Sequence, residues 1–198
     1  MKLEHGSYNL PCFGQTESGD LVFTQVTEQG LLFGLIDVSG HGEQAAKVAQ
    51  EIKAWIGDKA PERPMVFLQQ LDKLLRGHGS GVGVVCNLDT QKALLSYCGV
   101  GNPLLWLVDK HQVHSFPAKP GLIGQYLPRL EERQVKVDLD DVIVLASDGV
   151  SSSAICVDGF PANKLRTMSA ADCALNLVRQ QGRFHDDASC LVVRCCHD

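Results

Sequence analysis

Five aspartates occupy places where this residue type is costly unless it is partnered. Asp20 opens an apolar run at 21–27, directly after Ser18-Gly19. Asp37 lies at the end of a second run, 31–38, just before a glycine-rich turn. Asp148 follows the run 142–147 and precedes Gly149, and Asp186 and Asp187 lead into the last run, 189–195. Aspartate is depleted in strands, and a carboxylate buried without a partner is expensive. No Lys or Arg is adjacent to any of the five in sequence. Hard divalent cations such as Mg²⁺ and Mn²⁺ take carboxylate oxygens and would answer that need. Each aspartate alone has an ordinary explanation. Asp148-Gly149 reads as a turn, Asp37 as a cap for the helix that begins near His41, and Asp186-Asp187 as a solvated loop tip. Their joint recurrence at strand ends points to one metal site.

Bringing these residues together requires strands folded onto strands. The runs 21–27 and 31–38 flank Glu28-Gln29-Gly30, a hairpin signal. After Ser39-Gly40-His41-Gly42 the apolar period changes. Ala45, Val48, Ala49, Ile52, Trp55 and Ile56 share one helical face, and Gly57 is expected to stop that helix. A second helix follows Pro64, carries Phe67, Leu68, Leu71, Leu74 and Leu75, and ends at Gly77. Further strand pairs are expected at 82–88 with 93–100, at 104–108 with 112–116, and at 133–139 with 142–147, the last joined at Asp140-Asp141. Residues 117–130, with three prolines and two glycines, read as an irregular loop. Ser169, with Asp172 three residues on, caps a last helix whose apolar face is expected to hold Ala171, Ala174, Leu175 and Val178. Strands that arrive mostly as hairpins favour antiparallel sheets packed face to face, with helices on the outer faces. The class is α+β, and the order excludes a receiver-type phosphoacceptor module, which alternates βαβ. With no repeat, low-complexity stretch or linker, residues 1–198 are expected to form a single domain.

The turn after Asp37 carries a specific resemblance. Asp37-Val38-Ser39-Gly40-His41-Gly42 resembles the D-V-S-G-H-G signature of the SpoIIE-like branch of the PPM metal-dependent protein phosphatases. Other motifs of that family follow in order. They are Ser18-Gly19-Asp20, then Gly99-Val100-Gly101-Asn102-Pro103 (similar to A-G-H-N-P, altered at the His), Ser147-Asp148-Gly149, and Asp186-Asp187-Ala188-Ser189 (similar to D-D-x-T/S). The resemblance implies an α-β-β-α sandwich holding two Mn²⁺ or Mg²⁺ ions between its sheets. By motif position it implies Asp37 as the bridging ligand and the carbonyl of Val38 as completing one site. Asp20, Asp148 and Asp186 would be further carboxylate ligands, with Asp187 ranked after them. The implied reaction is hydrolysis of phosphoserine or phosphothreonine on a protein by a metal-activated water. Some relatives use an N-terminal Arg to grip phosphate and a His as general acid, but here no Arg precedes Arg63 and Ser39 stands in the place of that His. His41 is expected to assist or to be structural, and His185 to lie outside the ligand set. The branch acts on phosphorylated STAS-domain proteins of partner-switching pathways, and this chain is similar in size to its stand-alone stressosome-type members. Another Ser/Thr phosphoprotein as substrate, or non-catalytic STAS binding, stays open as an alternative.

The formal net charge of −5, spread through the chain, argues against a nucleic-acid clamp. The longest apolar runs fall short of the roughly 20 residues that span a bilayer. Met1 to Pro11 lacks the apolar segment of a signal peptide. Eight cysteines without a CxxC pair, several in apolar runs, read as free thiols in a reducing compartment. A cytoplasmic monomer, bound to neither membrane nor nucleic acid, is therefore expected.

Overall fold

The computed structural model describes residues 1–155, 162–183 and 185–197. In chain order its elements are β1 (Lys2–Leu10), β2 (Asp20–Val26), β3 (Gly30–Val38), α1 (Glu43–Lys59), α2 (Pro64–Leu75), β4 (Gly81–Asp89), β5 (Leu94–Val100), β6 (Leu104–Val108), β7 (Val113–Ser115), β8 (Arg133–Lys136), β9 (Val142–Ala146), α3 (Ala162–Thr167), α4 (Ala170–Gln181) and β10 (Ala188–Cys196). They form two five-stranded sheets, β1-β10-β9-β6-β7 and β2-β3-β4-β5-β8, in which every neighbouring pair is antiparallel.

Strand alternation sorts the apolar residues into three layers. In β3, Leu31, Phe33 and Leu35 face the other sheet and meet Ile143, Leu145, Leu191 and Val193. Leu32, Ile36 and Val38 face outward onto Ile52 and Ile56 of α1 and Phe67, Leu68 and Leu71 of α2. On the far side Val142, Val144, Cys190 and Val192 carry α4 through Cys173, Ala174, Leu177 and Val178. The result is the expected α-β-β-α sandwich. The near-continuous apolar character of β3, β9 and β10 follows from having both faces covered.

The expected elements are present, with five differences. Helix α1 runs through Gly57 to Lys59 and ends only at Ala60, whose extended backbone is what a following proline, Pro61, imposes. A mid-helix glycine costs about 1 kcal/mol, too little to stop a helix packed along its length. The buried face of α4 is Ala170, Cys173, Ala174, Leu177 and Val178, so Ala171 is exposed and Leu175 only half-buried. The runs joined at Asp140-Asp141 do not pair. β8 lies beside β5 and β9 beside β6 and β10, so this connection crosses between sheets, with Asp140 in the left-handed region (φ 70°). β1 escapes the sequence pattern because it is an edge strand without a fully buried residue. The one-and-a-half-turn α3 is too short to show a period.

Gly57 has open space where a Cβ would stand and no positive φ. Gly57→Ala should stabilise the protein by about 0.5–1 kcal/mol, read as a melting temperature higher by a few degrees.

Candidate metal centre

Main-chain register alone brings the first two aspartates together. Asp20 and Asp37 are directly opposite partners on β2 and β3. Residue 37 shares parity with Leu31, Phe33 and Leu35, which puts its side chain, and that of Asp20 beside it, on the face turned toward the second sheet. In that sheet Asp148 follows the end of β9 and Asp186 precedes the start of β10, and these two strands are neighbours. β3 and β9 end, and β2 and β10 begin, at one edge of the sandwich. The fields of Asp20, Asp148, Asp186 and Asp187 all act on Asp37.

The electrostatic consequence is severe. Asp20 is only 5 % exposed, and neither of its carboxylate oxygens has a hydrogen-bond partner. Burial pushes its pKa up to about 7. The hydroxyls of Ser147 and Ser189 beside it pull it partly back, and Asp187 and Asp148 raise it again. Asp37 is pushed up to about 8, first by burial and then by Asp20, Asp148, Asp186 and Asp187. Like charges directly opposite on adjacent strands destabilise a sheet, and an orphaned buried carboxylate is among the costliest groups a fold can hold.

An oxygen-seeking divalent cation fits this donor set, because it would satisfy the orphaned Asp20 oxygens and offset the shared negative charge. Among the described residues no three His, Cys, Asp or Glu side chains close on one point to hold an ion by themselves.

The surroundings fix these carboxylates individually. Asn102 Nδ2 donates to Asp148 Oδ2 at 2.6 Å, which gives the altered Gly-Val-Gly-Asn-Pro segment its task. Asp186 Oδ1 accepts the N–H of Asp187 at 2.9 Å. Asp187 behaves differently from the rest: it is 4 % exposed, and its two oxygens accept the N–H groups of Cys12 and Gly19, each at 2.7 Å. Asn9 Nδ2 donates to the carbonyl of Asp20, and Ser18 Oγ accepts the Asp20 N–H. The fully buried Ser147 and Ser189 tie the two motifs of the second sheet, the Ser189 N–H donating to Ser147 Oγ at 2.9 Å. Gly149 has no room for a side chain, since a Cβ there would stand 1.9 Å from the carbonyl oxygen of Asp187. Asp37 does not cap α1, whose N-cap is Gly42 (φ 72°) without a side-chain cap bond. His41 and His185 are exposed. Ser147, Ser189, Asn102 and Asn9 were not identifiable as positioning groups beforehand. The first three lie inside the motif segments, but only the folded geometry shows what they hold.

These features define a class: the fold is that of the PP2C-type serine/threonine phosphatases. The chain belongs to the SpoIIE family, since the family model for Stage II sporulation protein E matches residues 27–195. Its fold superposes on a chain solved in work on the bacterial stressosome as a modular system adapted to control secondary messenger signalling. That match has a TM-score of 0.86 and 24% identity over 98% of this chain and 100% of that one. RsbX in complex with magnesium gives a TM-score of 0.79 and 15% identity over 96% of this chain and 94% of that one. The catalytic domain of the serine/threonine protein phosphatase PstP with two manganese ions gives 0.75 and 13% over 98% and 99%. No curated protein matches the chain.

The raised carboxyls set a pH dependence with a definite sign. Without metal, the folded protein keeps protons on Asp20 and Asp37 that an unfolded aspartate, near 3.8, has released. Their contribution is fully present below that value and lost as pH rises through about 7 to 8. In chelator, the stability of Asp37→Asn relative to the unmutated protein should therefore grow between about pH 5 and pH 8.5. Thermal melts across that range check it, and a constant difference would contradict it.

Proposed function

We propose that this protein removes phosphate from phosphoserine or phosphothreonine on STAS-domain regulators. It does so with two Mn²⁺ or Mg²⁺ ions held by Asp20, Asp37, the carbonyl of Val38, Asp148 and Asp186. Asp20 carries the reading: a buried carboxylate with no protein partner, set opposite a second carboxylate whose proton is equally hard to lose. The family match and the magnesium and manganese complexes of similar folds support a divalent-cation centre. A stressosome-derived chain and RsbX among the similar folds support a partner-switching substrate.

When bound, the ions supply a water acidic enough to attack phosphorus at neutral pH and offset charge on the transferring group. The remaining work belongs to this chain. Asp20 and Asp37, on adjacent strands of one sheet, and Asp148 and Asp186, from the other, set the spacing of the cations. Asn102 holds Asp148 in one orientation. The carboxylates repel a phosphate dianion unless cations offset them, so substrate entry is coupled to metal loading.

The loop 117–130 is irregular but anchored. Ile123 and Gly81 exchange both backbone hydrogen bonds, Gly124 N–H donates to buried Asp72 Oδ1, and Gln125 Nε2 donates to Ser80 Oγ, which in turn donates to Ser39 Oγ. The loop thus stands against the Asp37–Gly42 turn with Tyr126 72 % exposed, a placement that favours contact with a protein substrate. Seven unpaired cysteines among the described residues favour a reducing, cytoplasmic setting. No helix of the described residues is long and apolar enough to cross a membrane.

Mn²⁺-dependent hydrolysis of p-nitrophenyl phosphate should fall at least about 100-fold in Asp37→Asn and in Asp148→Asn. Absence of activity in both Mn²⁺ and Mg²⁺ would sink the enzymatic reading. Phosphorylated STAS proteins should be dephosphorylated faster than unrelated phosphoproteins. Tyr126→Ala should slow phosphoprotein turnover while sparing the small substrate, and equal loss on both would count against the loop's role.

A further inference from the structure

We infer that Asp187 is a positioning residue that locks the β1–β2 connection in place, so that Asp20 and the carbonyl of Val38 are presented to the metal centre. This rests on the metal reading above and assigns Asp187 a task other than ligation.

The geometry is two-pronged. Asp187, at the start of β10, reaches residues more than 160 positions away in sequence and accepts the N–H of Cys12 with Oδ1 and the N–H of Gly19 with Oδ2. These residues sit at opposite ends of the segment between β1 and β2. One buried carboxylate thus pins the start and the end of a loop that has no strand partner of its own. Both contacts are short, as charge-assisted bonds to backbone N–H groups are. With one main-chain donor on each oxygen, the orientation of this carboxylate is fixed by the β1–β2 segment.

The consequence passes on through Gly19. Its N–H is held by Asp187, its carbonyl accepts the N–H of Val38 at 3.3 Å, and the next residue is Asp20. A Cβ at Gly19 would stand 2.8 Å from Ala45 Cβ and 3.2 Å from the Val38 carbonyl oxygen, so the chain passes directly over that oxygen. Ser18 Oγ and Asn9 Nδ2 then fix the Asp20 backbone itself. The backbone that carries the Asp20 carboxylate is thereby held at Gly19, by Ser18 and by Asn9. Asp187 therefore couples the Asp186-Asp187 motif of one sheet to the Ser18-Gly19-Asp20 motif of the other through its carboxylate and the main chain of Gly19.

The test uses Asp187→Asn, which keeps the shape but offers one acceptor and one donor to two N–H groups. Mn²⁺ titrated into the folded variant, followed by calorimetry, should bind about 10–100-fold more weakly at an unchanged number of sites. Circular dichroism run well below the melting temperature establishes that the variant is folded. Loss of one bound Mn²⁺ with the others at full affinity would make Asp187 a ligand and overturn the inference. Full affinity at all sites would reduce it to a stability role and overturn it equally. Amide hydrogen exchange of the metal-free, unmutated protein gives an independent reading. The Cys12 and Gly19 N–H groups should be protected at least tenfold over those of Phe13, Gly14 and Thr16, and fast exchange at both would overturn the lock. If the unmutated protein binds no Mn²⁺ at all, the metal reading fails, and the exchange pattern alone still decides whether Asp187 holds the loop.

Discussion

Negative charge held between two sheets, at one edge and largely out of water, is the constraint that the rest of this structure serves. The β2–β3 register sets Asp20 opposite Asp37, and no side-chain rearrangement can separate two residues paired by backbone. An isolated pair of this kind would cost stability and give nothing in return. Carboxylates from the opposite sheet add their fields to this pair, and a small cation would offset all of them at once.

Much of the local sequence is best understood as accommodation to that field. The two serines buried beside Asp20, Ser147 and Ser189, ease its charge with hydroxyl dipoles rather than with a cation, which would compete with a metal. Gly149 lets the main chain after Asp148 pass against the Asp187 carbonyl, and Gly19 does the same over Val38. The short, small-residue motifs around the aspartates are therefore steric permissions as much as chemical ones. They let four strand ends approach more closely than ordinary side chains would allow.

The fold class and layer order were legible because strands with two covered faces read as apolar runs, and because α1 and α2 carry clean helical stripes. What escaped had little pattern to offer. β1 lies at an edge with no fully buried residue, and α3 is short. The crossing at Asp140-Asp141 looks like a hairpin turn because both kinds of connection need a residue tolerant of positive φ. At the site, the aspartates could be picked out by residue type and position. Resemblance to the family motif ranks Asp187 after Asp186, but its hydrogen-bond task was not legible. The two are adjacent and chemically identical, and the backbone N–H groups of Cys12 and Gly19, remote in sequence, set them apart.

The strand order β1-β10-β9 has a consequence for assembly. β10 fills the slot between the first strand and β9, and it brings Asp186 beside aspartates that all precede it in the chain. Asp20 and Asp186 are the ends of a loop that spans most of the chain, and a cation held by both would act as a clasp across it. Closing so long a loop is entropically expensive in the unfolded chain, and a bond across it removes that freedom. The nascent protein therefore carries an incomplete and strongly acidic edge until its last strand zips in. Competence to hold a cation and completion of the sheet become one event.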